Sequence, residues 1–301
     1  MIGDKVIKRQ DRLADTFSAP SQIIEESLLP PFDSDLSYEQ TFVEKFRGQD
    51  IALNSFQDFY FDTLKLVANL SQREKSISST LAFKIAIHMV SYRRFRASHI
   101  LFLKGYPFDA TSLLGCLFES VLDIAALEHN IVSLEDLYVP FPNKELFILS
   151  KRKNIKDHSN TIQSKINSTL IGNNSGLSPK TIEEIEVWRF LLHNTVHKSF
   201  LAMSLQRGQW LHGKSCISLL QEIDDKQAAF YMNRSSEIAW MLLRTLPLLQ
   251  AQPMEFGDGW DHKWKVLDIS FREMFQGVQK NIASAICEFI DKKLNFNQVL
   301  I

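Results

Sequence analysis

The chain is predicted to be all-α, a mainly antiparallel multi-helix bundle, on three observations. Apolar residues recur at spacings of three and four over long stretches, which is the period of one helix face. Only 11 Gly and 9 Pro punctuate the 301 residues, while 22 are Phe and 45% are hydrophobic. That composition suits long helices rather than a loop-rich or all-β fold. No stretch shows the sustained alternation of a half-buried strand.

The bundle is organised on a central αα-hairpin over residues 81–128. Its first arm, Leu81 to Lys104, is filled by Ala, Ile, Leu, Met and Phe with no Gly or Pro inside it. Gly105 suits a helix stop because it tolerates positive φ. Pro107 suits the first turn of the next helix, where a missing N–H breaks no bond. On the second arm, Phe108 to Glu128, a wheel at about 100° per residue puts Leu113, Leu114, Leu117, Val121 and Ile124 on one side. Phe118, Leu122 and Ala125 widen this stripe, and Cys116 and Leu127 extend it. Glu119, Asp123 and Ser112 occupy the narrow polar remainder. A helix apolar around most of its girth belongs in the middle of a bundle.

The other elements follow in order. Residues 1–36, with Pro20, Pro30 and Pro31, read as a flexible arm holding one short helix near Gln22–Leu29. Residues 37–301 read as a single helical-bundle domain. Ser37 and Gln40 resemble a capping box opening a helix through Phe42 and Phe46, with a break at Gly48. Phe56, Tyr60, Leu64, Val67 and Leu70 continue at helical spacing. After the hairpin, Ser133 to Asp136 reads as a short capped turn ended by Pro140 and Pro142. Lys144–Leu170 is predicted helical and more polar, with Lys151, Arg152, Lys153 and Lys156 close together. Residues 171–176 form the clearest loop. Ser178 caps and Pro179 opens a helix reaching about Arg207. Gly208 and Gly213 mark a break, and Lys226–Gln250 is helical with its last turn disturbed by Pro247. A loop over Pro253–Gly259 leads to one final helix from Trp260 to Leu294.

A formal net charge of −1 gives no overall pull toward nucleic acid or an anionic membrane. Cys116, Cys216 and Cys287 match no metal or disulfide spacing and point to a reducing, cytoplasmic setting. The start of the chain lacks an apolar leader core. No uninterrupted apolar run of about 18 residues is present, so no transmembrane span is predicted.

The chemistry-bearing stripe lies on the helix after Ser178. Glu186, Arg189, His193, His197, Ser204 and Arg207 fall within about 80° of one another. Ile185, Trp188, Leu192, Val196 and Met203 make the neighbouring apolar face. Two imidazoles titrate near neutral pH, and a guanidinium steadies an anion, so the stripe could run general acid–base chemistry. A solvated stripe with hydrogen-bonded histidines is the plainer alternative. His193 and His197 also have the spacing of a metal pair with Glu119 or Asp123 as a third ligand. Asn194 stands where a zinc protease needs its general-base Glu, and neither metal nor cofactor is assigned. His88, Tyr92 and His99 share a stripe on the first hairpin arm and read as buried, satisfied groups. The run from Arg93 to Arg96 and the cluster Lys151–Lys156 could touch phosphates, although such runs usually form a wet helix face.

Two blocks resemble the bacterial helical domain-of-unknown-function family 5677. One runs from Arg96 through Gly105, Tyr106 and Pro107 to Glu119, similar to the family's helix, Gly-aromatic turn and L-L-R-S-L-x-E helix. The other runs from Trp188 to His197, similar to its aromatic-rich helix ending in Val-His. Glu119 and His197 match family positions, while Gly115 stands where the family has Arg. More distantly the chain resembles the HEPN helical-bundle ribonucleases of toxin–antitoxin and phage-defence systems. Their signature pairs Arg with a His beyond a gap of four to six residues, a spacing met by Arg93 or Arg94 with His99. The family 5677 resemblance carries no established activity; the missing family Arg and motif point to a bacterial regulatory or interaction module acting with a protein partner or as a homo-oligomer. The alternative, of the HEPN type, is a metal-independent endoribonuclease acting on RNA, with His197 and His193 of the stripe as acid–base groups, Arg189 as anion stabiliser and Glu119 beside them.

Overall fold

The computed structural model describes residues 42–73, 77–104, 106–137, 149–172, 178–187 except 181 and 184, 225–250, 256–275 and 282–294. Every regular element among them is helical. In chain order these are α1 (Arg47–Arg73), α2 (Ser79–Leu103), α3 (Pro107–Glu128), α4 (Leu134–Leu137), α5 (Leu149–Leu170), α6 (Asp225–Thr245), a 3-10 turn (Leu246–Leu249), α7 (Asp258–Met274) and α8 (Ile282–Leu294). Residues 179, 180, 182, 183 and 185–187 are helical as well.

The α2–α3 hairpin forms as its sequence predicts. The Ser78 hydroxyl accepts the Leu81 N–H at 3.2 Å and so caps α2. The Lys104 N–H closes the far end on Ile100. Gly105 lies outside the described residues, and Pro107 is the first residue of α3. Leu114, Leu117, Val121 and Ile124 are completely buried, and Phe118, Leu122 and Ala125 widen the buried surface as the wheel requires. The helix packs along α2, against α6 on another flank and against α5 on a third. Its stretch Asp109–Glu128 is long and apolar enough to cross a bilayer, but 67% of the apolar window is buried inside the bundle. Its hydropathy is thus used by protein neighbours.

A second central rod is α6. Every residue from Ser235 to Leu246 is buried. The helix touches α1, α3, α7 and α8, and it continues into the 3-10 turn at Pro247, where the missing N–H ends α-helical bonding.

Two boundaries differ from expectation. Gly48 does not break α1; it sits in the first turn, and the preceding helical residues 42–45 end in a turn at Phe46. A helical Gly costs about 1 kcal/mol, which the burial of Leu53, Phe56, Tyr60, Leu64 and Val67 on the same rod outweighs. The single final helix is instead two, since α7 ends at Met274 with the Phe275 N–H turned back on Phe271 and Arg272. The reason is tertiary. Asp268 of α7 and Asp291 of α8 both bind Arg244. On one straight helix those carboxylates would stand roughly 35 Å apart.

The short α4 carries the capping pair expected of it. Asp136 accepts the Ser133 N–H at 2.9 Å, and the Ser133 hydroxyl accepts the Asp136 N–H at 3.1 Å. The backbone bond from Ser133 holds the Asp136 carboxyl below its ordinary range. Pro140, Pro142 and residues 144–148 of the predicted polar helix lie outside the described residues.

Candidate functional site

Glu119 and Asp123 stand one turn apart on the polar edge of α3, where α5 packs. Gln163 of α5 donates its amide N–H to Glu119 and makes a longer contact of 3.4 Å with Asn167. Burial raises the Asp123 carboxyl, and the charge of Glu119 raises it further, to about 7. Two carboxylates this close disfavour joint ionisation. Asp123 is therefore poised to gain or lose a proton near neutral pH.

Beyond Gln163 the surface opens into a cleft of about 410 Å³. Asn160, Gln163, Ser164, Asn167 and Ser168 form one wall, and Glu186 faces them from the following helical stretch. Glu119 lies behind Gln163 and does not line the cleft. Ile185 is fully buried while Glu186 and Val187 are exposed, so the polar and apolar faces predicted for this helix separate as expected at the residues described. The structure thus places Glu186, the first member of the polar stripe, across the cleft from Gln163, whose amide reaches back to Glu119. Arg189, His193, His197, Ser204 and Arg207 lie outside the described residues.

The histidines of α2 point inward. His88 Nδ1 shares a hydrogen bond of 2.8 Å with the Tyr60 hydroxyl, whose ring packs edge-on against it. Burial, reinforced by Lys84, lowers His88 to about 3. It is a neutral core group over the whole physiological range. His99 is also buried, with Nε2 3.2 Å from an Asp50 oxygen of α1. Arg93 is exposed and Arg94 half-buried on the same unbroken helix. The HEPN-like spacing therefore does not bring Arg and His together, because positions five or six apart diverge by about 120–140° on a helix.

The outward side of α2 is the less expected feature. Ala82, Ala86, Met89, Val90, Arg93, Ala97 and Ile100 fall in an arc of about 100°. Met89, Val90 and Ile100 are 38%, 43% and 47% exposed. Phe61 of α1, stacked on Tyr92, extends the apolar surface along one rim with Arg96. The helix is nearly as apolar outward as inward, a pattern normally reserved for a helix with neighbours on all sides.

A buried ionic centre also went unread in the sequence. Arg244 of α6 lies 2.7 Å from Asp268 and 3.0 Å from Asp291, with its guanidinium 5.1 Å from the centre of the Trp264 ring. Asp268 further accepts from Trp240 and pairs with Arg272. The only sequence signal was a lone Arg in an otherwise apolar run, and its partners lie 24 and 47 residues away. The group ties three helices together, which is a structural role.

Comparisons with protein-family models, with curated proteins and with solved structures return no match for this chain.

Proposed function

We propose that this protein is a helical interaction module that receives an acidic, amphipathic helix of a protein partner on the outer stripe of α2. The observation that carries the reading is the apolar outward face of α2 around Arg93. A helix whose inner half already fills the core has no folding reason to present Met89, Val90 and Ile100 to water. Arg93 and Arg96 make no ion pair with another described residue. Two copies pairing antiparallel through this stripe would bring Arg93 near its own counterpart, so like charges oppose that arrangement. An acidic amphipathic helix satisfies both features, its apolar stripe on Val90 and its carboxylates on the guanidiniums. In this reading the chain works in a bacterial cytoplasm.

The test compares the native chain with the double variant Val90→Glu/Arg93→Glu, both checked for unchanged helix content by circular dichroism. Solution mass and capture from a bacterial lysate are measured side by side. An associated protein present with the native chain and lost from the variant supports the reading. Equal recovery by both chains refutes it.

One observation favours a second reading, a metal-independent ribonuclease: Glu186 of the His193 and His197 stripe opens on a cleft lined by Gln163, which bonds Glu119 behind it. Cleavage of total RNA in EDTA by the native chain, abolished by His197→Ala, would establish it and displace the first.

A further inference from the structure

We propose that the cleft between α5 and Glu186 takes the base of a free adenine nucleoside or nucleotide, with Glu119 selecting the amino group through Gln163. The cleft stands apart from the docking stripe on α2 and needs no partner helix. Along its wall Asn160, Gln163, Ser164, Asn167, Ser168 and Ile171 recur at spacings of three and four, as a core stripe does, yet the first five are uncharged polar groups. Their hydrogen-bond polarity is fixed from behind. As a carboxylate, Glu119 offers acceptors alone. The Gln163 amide must therefore turn its nitrogen toward Glu119, and the same nitrogen lies 3.4 Å from the Asn167 side-chain oxygen. That leaves Gln163 its carbonyl oxygen and Asn167 its NH2 group to offer a ligand. The Ser168 hydroxyl is likewise committed, donating to the Lys165 carbonyl at 3.0 Å.

An acceptor and a donor on neighbouring turns complement an exocyclic amine beside a ring nitrogen. Adenine carries that pattern on two edges and cytosine on one. The rest of the cleft suits a purine. Its volume of about 410 Å³ falls within the range of small-ligand sites. Ile171 and Gly172 give it an apolar floor. A Cβ at Gly172 would come within 2.8 Å of the Ser168 Cα, so the position stays bare and a planar ring can lie close to the backbone. Glu186, opposite, is an acceptor for ribose hydroxyls. A simple sugar would gain nothing from the fixed polarity, because each of its hydroxyls both donates and accepts. An organic cation would meet the Asn167 N–H groups rather than an acceptor.

The test titrates the full chain with adenosine, inosine, cytidine and a short adenine oligonucleotide by isothermal calorimetry. Inosine carries an oxygen where adenosine has its amine, so two acceptors would face each other at Gln163. It is expected to bind about tenfold more weakly than adenosine. Asn167→Leu is expected to weaken adenosine binding about fivefold. Glu119→Gln is the discriminating variant, with unchanged helix content checked by circular dichroism. A carboxamide at position 119 donates as well as accepts, so Gln163 is free to turn over. The preference for adenosine over inosine is then expected to fall to about twofold or less. No saturable binding of adenosine, or equal binding of adenosine and inosine by the native chain, overturns the proposal. So does tighter binding of cytidine than of adenosine, or an Asn167→Leu chain of native affinity. Binding of the oligonucleotide with none of adenosine also overturns it, because the cleft would then read a strand. A Glu119→Gln chain that keeps the full preference removes Glu119 from the selection and refutes the relay through Gln163.

Discussion

Replacing Asp123 by Asn should stabilise the folded chain at pH 8 and do much less at pH 4.5. The reason is the crowding of Asp123 against Glu119 in a poorly hydrated seam between α3 and α5. Folding lifts its carboxyl from the ordinary 3.8 to about 7. The folded chain then holds a proton that the unfolded chain has released, so stability falls as pH rises from about 4 to about 7. At about 1.4 kcal/mol per pH unit the full displacement amounts to about 4 kcal/mol above pH 7. Asn removes the ionisation and keeps the shape. Its advantage over the native chain is therefore expected to widen by about 3 kcal/mol between pH 4.5 and pH 8. Urea unfolding followed by circular dichroism at the two values measures it. The unfolding slope must stay constant for the midpoints to be compared. Repeating the pair in a Glu119→Gln background should narrow the gap, since the second cause of the displacement is gone. A gap that does not change with pH would refute the account of this seam.

Further expectations concern the core. In the Asp123→Asn chain the opposite linkage of His88 should become visible: its folded value near 3 lies below the ordinary 6.5, so acidification favours the unfolded chain. Stability should fall by about 2 kcal/mol from pH 6.5 to pH 5, read from urea midpoints, and a flat or rising profile would contradict it. Arg244→Met strands Asp291 and removes one partner of Asp268, and should destabilise by about 3–5 kcal/mol in the same assay. Adding Asp291→Asn should recover part of that loss. Ser98→Ala takes a hydroxyl from both the Ala110 carbonyl and the Tyr231 hydroxyl, and should cost about 1–3 kcal/mol. By contrast Arg93→Glu alone should change stability by less than about 0.5 kcal/mol, because the side chain is exposed.

The periodicity of residues 81–128 determined the hairpin and the orientation of α3, because the core side of a rod is set by which residues on it are apolar. Local signals at Ser133, Pro107 and Pro247 worked for the same reason: each acts on backbone groups within one turn. The inward reading of His88 and His99 was legible too, since both sit on the apolar stripe of α2. What tertiary structure decided was every relation between distant residues. Only packing could show that Gln163 holds Glu119 and that Glu186 opens on the cleft lined by Gln163. The division of the last helix into α7 and α8, and the convergence of Asp268 and Asp291 on Arg244, depend on carboxylates that attract one guanidinium across three rods. The exposure of Met89, Val90 and Ile100 likewise follows from how many neighbours α2 acquires. A one-dimensional pattern specifies faces; which faces meet, and which stay wet, is settled by the mutual exclusion of packed helices.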